Sequence, residues 1–205
     1  MINKYVCEDI DIYYDEKDAT TIEICGLETD LDEVTLNIPE YIDEKKVVSI
    51  YDTAICGCNK IKKIVLPGTI KKITERSIQG CIALKEIILS DGIEEIGAYT
   101  FWGNTNIEKI KFPKTLKKIS KRAFPTCENF LYLKLNEGLE EIEKSNFKFL
   151  KLNYLYIPST LKKVGENVFY GSKIRTTVFK GSIEEFKVLK QKFNNVNFGR
   201  VLCII

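Results

Sequence analysis

Histidine is absent from all 205 residues. The chain therefore has no side chain suited to act as a general base near neutral pH, lacks the commonest metal ligand, and cannot assemble a Ser-His or Cys-His nucleophile pair. An excess of one charge is also missing. Lys and Arg number 31 against 29 Asp and Glu, a net +2, so no whole-molecule field gathers nucleic acid or an anionic membrane. No apolar run approaches the ~20 residues of a membrane span, and the opening MINKYVCEDIDIYYDEKD carries charge where a signal peptide needs an apolar stretch. Read as it stands, the chain is expected to be cytoplasmic, or cell-surface or secreted if it is a trimmed part of a longer protein. Seven Cys is an odd number in a chain with 44% apolar residues, which suits a reducing compartment better than a disulfide framework. Neither a cofactor nor a metal is expected, and no residue is assigned a catalytic role.

What the chain does have is self-similarity. Segments beginning at Ile61, Leu84, Ile107, Phe130 and Leu152 align as IKKIVLPGTIKKITERSIQGCIA, LKEIILSDGIEEIGAYTFWGNTN, IEKIKFPKTLKKISKRAFPTCEN, FLYLKLNEGLEEIEKSNFKFLK and LNYLYIPSTLKKVGENVFYGSK. Apolar residues recur at the first, fourth and sixth places, as in Leu84, Ile87 and Leu89, and the later members of that set alternate as a strand does. Pro67, Pro113 and Pro158 follow the strand, where a lost amide donor is tolerable. One such unit cannot bury its apolar face alone, so the units must stack into columns. One predicted core column is Ile50, Ile73, Ile96, Ile119, Ile142 and Val164. A second is Ile55, Ile78, Phe101, Phe124, Phe147 and Phe169.

Columns also sort the polar residues. Cys58, Cys81 and Cys127 share one with Asn104, Leu150 and Ser172, which marks it as buried rather than metal-binding, with Asn104 requiring a backbone partner. Cys56, Gln79, Trp102, Pro125, Lys148 and Tyr170 form a chemically mixed column expected to face solvent on the convex side, with Trp102 as a candidate contact residue and Cys56 as a candidate reactive thiol. Charge alternates unit by unit along Lys71-Lys72, Glu94-Glu95, Lys117-Lys118, Glu140-Glu141, Lys162-Lys163 and Glu184-Glu185. With neighbouring strands ~4.8 Å apart, each doublet would face opposite charge, fixing register against a slip of one whole unit.

The pattern resembles the BspA-like leucine-rich repeats, whose unit combines a strand, a frequent Pro, a second extended leg and an Ala-Phe-x-Gly-Cys turn, here clearest at Ala123-Phe124 and Cys127. The resemblance implies an α/β solenoid, right-handed and strand-rich, with a parallel sheet on the concave face and short helical turns on the convex face. It divides one continuous domain into an N-terminal capping hairpin (1–33), an expanded first repeat (34–60), five repeats of 22 or 23 residues (61–173) and a C-terminal capping unit with a short helix (174–205). In such a strand the third and fifth places point away from the core, giving Lys63, Glu86, Lys109, Tyr132, Tyr154 and Thr177, and Val65, Ile88, Lys111, Lys134, Tyr156 and Phe179. Exposed aromatics thus gather beside Lys109, Lys111 and Lys134, the anchor chemistry of protein interfaces.

The expected function is a non-enzymatic, monomeric module that binds a protein, or a glycosylated surface, through Lys109, Lys111, Tyr132, Lys134, Tyr154, Tyr156 and Phe179, without nucleic acid or membrane insertion. The family implies adhesion to host, matrix or cell-surface proteins. An intracellular scaffold or effector is the second reading. A hydrolase using Glu94-Glu95 or Glu140-Glu141 is a third, and neighbouring Lys would hold those carboxylates ionised.

Overall fold

Stacking the aligned segments buries their apolar places and leaves strand edges to pair from one unit to the next. The computed structural model describes residues 2–205; Met1, which opens the span 1–33, lies outside them. The first strand of each unit joins a parallel sheet: Val34–Asn37, Ile61–Leu66, Glu86–Leu89 and Lys109–Lys111 form one part, and Tyr132–Lys134, Lys151–Ile157, Lys173–Lys180 and Arg200–Ile204 the other. The return legs Lys72–Ile73, Glu95–Ile96, Lys118–Ile119, Glu141–Ile142 and Lys163–Val164 make a second parallel sheet. Ile55–Cys56 and Ile78–Gln79 pair on the convex side, which is otherwise turns, and the one helix among the described residues is Ile183–Lys190.

Both apolar columns run through the centre. Ile50, Ile73, Ile96, Ile119 and Ile142 are fully buried, as are Ile55, Ile78, Phe101, Phe147 and Phe169. Phe101, Phe124, Phe147 and Phe169 stack with centroids 4.9, 5.1 and 5.7 Å apart, each pair adding roughly 0.5–1.5 kcal/mol to simple burial. The concave sheet divides between Lys109–Lys111 and Tyr132–Lys134. At that junction Phe112 and Phe130 occupy places that hold Leu or Ile in other units, and both rings meet Phe124 edge-on at 6.1 and 6.3 Å.

The polar member of the Cys column is satisfied from both sides. Asn104 Oδ1 accepts from the Cys81 amide at 2.8 Å and its Nδ2 donates to the Ile78 carbonyl at 2.7 Å. Ser172 repeats the device, accepting from the Leu150 amide and donating to the Phe147 carbonyl, both at 3.0 Å. Turns of adjacent units press together at Gly68 and Gly92. A Cβ on Gly92 would fall within 2.2 Å of the Gly68 carbonyl oxygen, and its φ of +116° is open to glycine alone without strain.

The charge ladder forms in register, Lys72 beside Glu95, Glu95 beside Lys118, Lys118 beside Glu141 and Glu141 beside Lys163. Lys72 reaches Glu95 at 3.0 Å, Lys71 and Lys117 approach Glu94 at 3.9 and 3.6 Å, and Lys163 approaches Glu141 at 3.6 Å. Lys118 turns instead to Glu143 at 2.6 Å. Burial alone would raise the Glu143 carboxyl, but Lys118 and the Lys121 amide hold it below its ordinary value. Glu184-Glu185 departs from the expected ladder. Both residues sit in the first helical turn, where Glu185 completes a capping box with Ser182 and both carboxylates face the positive end of the helix dipole.

The ends differ in construction. Asn3–Cys7, Ile10–Glu16 and Thr21–Thr29 pair antiparallel, and Thr21–Thr29 then runs parallel to Lys45–Ile50. The five extra residues of the first unit make a hairpin, Tyr41–Ile42 against Lys45–Ile50, across an Asp43-Glu44 turn with both φ positive. Asp43 accepts the Tyr14 hydroxyl at 2.5 Å. At the other end the helix buries Phe186 and Leu189 while Ile183 stays exposed, and Phe193 closes the aromatic column against Phe169 at 5.8 Å.

Candidate functional site

Register across the concave sheet places Glu86 between Lys63 and Lys109, and Tyr132 beside Tyr154. The two halves of the face differ. In the N-terminal half charges are neutralised in pairs, Lys63 with Glu86 at 3.2 Å and Lys85 with Glu108 at 3.5 Å. At the division of the sheet Lys109 and Lys111 on one side and Lys134 on the other are exposed and form no ion pair among the described residues.

Tyr132 and Tyr154, 63% and 49% exposed, lie nearly parallel at 12° with centroids 6.2 Å apart. Strand pairing sets the rings side by side, so they form a two-membered stack standing on the sheet. Tyr156 is less open. Lys134 Nζ lies 5.5 Å from its ring centroid, within cation–π range. Its hydroxyl donates to Glu137 at 2.6 Å, and burial together with that carboxylate pushes the phenol up to about 12. A groove of about 630 Å³ opens at the division of the sheet, with Lys109, Lys134 and Tyr132 around a largely apolar floor that includes Ile110, Leu131 and Leu133.

Phe179 does not belong to this face. It is 2% exposed and packs on Phe186 of the helix at 5.4 Å, and Thr177 is fully buried. A second 22-residue step pairs Leu152 with Ile174, Tyr154 with Thr176 and Tyr156 with Val178. Counting one residue further puts every side chain on the wrong face, because strand residues alternate in direction. The outward residues of this strand are Arg175, Thr176 and Val178, and the final strand adds Arg200 beside Thr176 and Leu202 beside Val178. Arg175 and Arg200 are thus face residues that the repeat spacing does not announce. Their signal is faint: the last strand follows a helix, and RVLCI is apolar on both faces.

Trp102 stands exposed at 52% on a convex turn, away from the strands that carry the Tyr stack. Gln79 of the same column is buried rather than solvent-facing, because its amide donates to the Tyr99 carbonyl at 3.2 Å. Cys56 is exposed. The Cys81 thiol is raised by contact with Cys58 and by burial, and burial likewise raises Cys127, so neither is a ready nucleophile. Among the described residues no group of three or more His, Cys, Asp or Glu is placed to hold a metal, and no helix is long and apolar enough to cross a membrane. Glu94 lies between two ammonium groups, and Glu95 faces Lys72 and accepts from the Ser120 hydroxyl at 3.0 Å.

Solved structures share the architecture. The pneumococcal vaccine antigen PcpA superposes with a TM-score of 0.68 at 20% identity, covering 87% of this chain and 50% of that one. A leucine-rich-repeat protein of T. pallidum gives 0.59 at 20% identity, covering 91% and 95%. A leucine-rich cell surface protein of Faecalibacterium prausnitzii gives 0.53 at 16% identity, covering 85% and 54%. The chain thus spans about half the length of the first and last of these. None of the curated proteins compared with it matches. Six copies of the BspA type leucine rich repeat region match over residues 47–195, the stretch that contains the stacked columns, and the chain belongs to that family.

Proposed function

We propose that the chain is a non-enzymatic module that binds an extended segment of another protein across the C-terminal half of its concave sheet. The observation that carries this reading is the Tyr132–Tyr154 stack, two exposed parallel rings near Lys109, Lys111 and Lys134, which form no ion pair among the described residues, whereas earlier strands pair Lys63 with Glu86 and Lys85 with Glu108. Tyr supplies large contact area at low entropic cost, and concave repeat surfaces suit extended partners. The ion-paired positions of Glu94 and Glu95 argue against a carboxylate hydrolase. Adhesion from the cell surface is the site of action we favour, because one structural neighbour is described as a cell surface protein and another as a vaccine antigen. Seven free thiols favour the second reading, a scaffold inside the cell. Fractionation of the native organism separates the two.

Replacing Tyr132 and Tyr154 together by Ser tests the face. Stability should stay within about 0.5 kcal/mol, as for other exposed positions, while partner captured by the parent chain from native extracts is lost. Equal capture by both chains refutes the proposal.

A further inference from the structure

A second recess of about 600 Å³ shares Tyr132 and Tyr154 with the apolar groove and is completed by Asn153, Arg175, Thr176 and Arg200. Arg175 and Arg200 are both exposed and take no ion-pair partner among the described residues. No acidic side chain lines the recess. Elsewhere on the surface Lys63, Lys72 and Lys118 each hold a nearby carboxylate. Two guanidinium groups, which can only donate, stand here beside an amide and a hydroxyl that can each donate or accept.

We propose that this recess is a carboxylate subsite, and that the partner segment is acidic, placing an Asp or Glu side chain between Arg175 and Arg200 while an apolar side chain fills the groove beyond Tyr132. The inference rests on the protein-binding reading and names the chemistry of its partner. A planar guanidinium offers paired N–H donors matched to carboxylate geometry, so two of them lining one recess favour an oxyanion over a neutral group. The flanking groove supplies the second requirement, since its floor of Ile110, Leu131 and Leu133 presents carbon rather than hydrogen-bonding groups. That floor suits an aliphatic side chain better than a hydroxyl-rich sugar. Tyr132 and Tyr154 line both recesses, so one extended segment lying over the stack meets the apolar and the cationic wall together.

The experiment is selection of a random dodecapeptide library on the immobilised full chain, with the strongest peptide then titrated against variants. Selected peptides should share an Asp or Glu and an apolar residue close to it in sequence. Arg175→Gln with Arg200→Gln should weaken the peptide by about ten- to a hundredfold, its Glu→Gln or Asp→Gln analogue should lose the same factor on the parent, and the combined loss should be far from additive. Both Arg are exposed, and an unchanged melting curve certifies the fold. Peptides without acidic enrichment, or undiminished by the Arg substitutions, overturn the carboxylate subsite, while the wider face stands if Tyr132→Ser with Tyr154→Ser still removes them. Peptides indifferent to both sets of substitutions overturn the face itself. A library in which nothing enriches on the parent over the Arg variant, or retention of a sialylated glycan in place of any peptide, overturns the acidic-segment assignment.

Discussion

The Tyr156 hydroxyl donates to Glu137 across two adjacent units at 2.6 Å, tying a strand of the concave sheet to the turn of the unit before it. Burial and that carboxylate raise the phenol from 10.0 to about 12, and Tyr14, bonded to Asp43, rises to about 12 as well. A raised acid keeps its proton longer in the folded state, so the bond's contribution is fully present below the unfolded value near 10 and is lost as pH climbs toward 12. In a spectrophotometric phenolate titration, Tyr156→Phe should remove one late-titrating phenol and leave that of Tyr14. An unchanged late component would show that Tyr156 titrates as a free phenol.

Asn104 gives a sharper stability test. Asn104→Leu keeps the branched side-chain shape but strands the Cys81 amide and the Ile78 carbonyl and should cost about 1–3 kcal/mol in denaturant unfolding. Asn104→Cys restores the column's commonest residue and a thiol able to point at the same carbonyl, as Cys127 does toward Phe101 at 3.5 Å. It should lose less. The reverse order contradicts the assigned hydrogen bonds.

Reversing Glu94 and Glu95 to Lys lines up three successive cationic doublets. Opposite pairs across strands contribute roughly 0.2–1 kcal/mol each and like pairs oppose by similar amounts, so the variant should unfold about 1–3 kcal/mol more easily in low salt. Much of that deficit should vanish at 1 M salt, where the Debye length shrinks to ~3 Å. A deficit independent of salt would place the cause in packing.

Gly92→Ala should destabilise by more than about 1 kcal/mol, because the methyl group meets the Gly68 carbonyl and the positive φ is strained for any side chain. Gly57→Ala shares a positive φ but has nothing within 4 Å of its Cβ, and should cost less. Equal costs would assign the effect to conformation alone.

From Ile61 to Ser172 the fold is legible because every unit shows the same apolar places, and a stack of equivalents leaves little freedom in assigning columns. The charge doublets are legible for the same reason. Legibility fails where a residue satisfies its place by bonding instead of by being apolar. Thr177 fills an inward place by donating to the Phe198 carbonyl at 2.8 Å, so the strand Lys173–Lys180 shows no apolar marker at its fourth place and Phe179 reads as outward. Gln79 fails likewise, since its buried amide is paired in a way visible only in three dimensions. The strand Asn3–Cys7 alternates half-buried and exposed residues and buries none fully, so no inward apolar face marks it in the sequence. Of the candidate face, the Tyr and Lys residues follow from spacing, whereas Arg175 and Arg200 depend on the shortened step and on a final strand delivered by the helix.

The alternating doublets give the solenoid two repeat lengths, one unit for its apolar columns and two units for its charges. Deleting or duplicating a single unit by recombination keeps every core column aligned yet brings two like doublets together. Exchanging a pair of units preserves both patterns. The smallest block that this lineage can gain or lose without an electrostatic fault is therefore two units, and relatives of altered length should differ by even numbers of them.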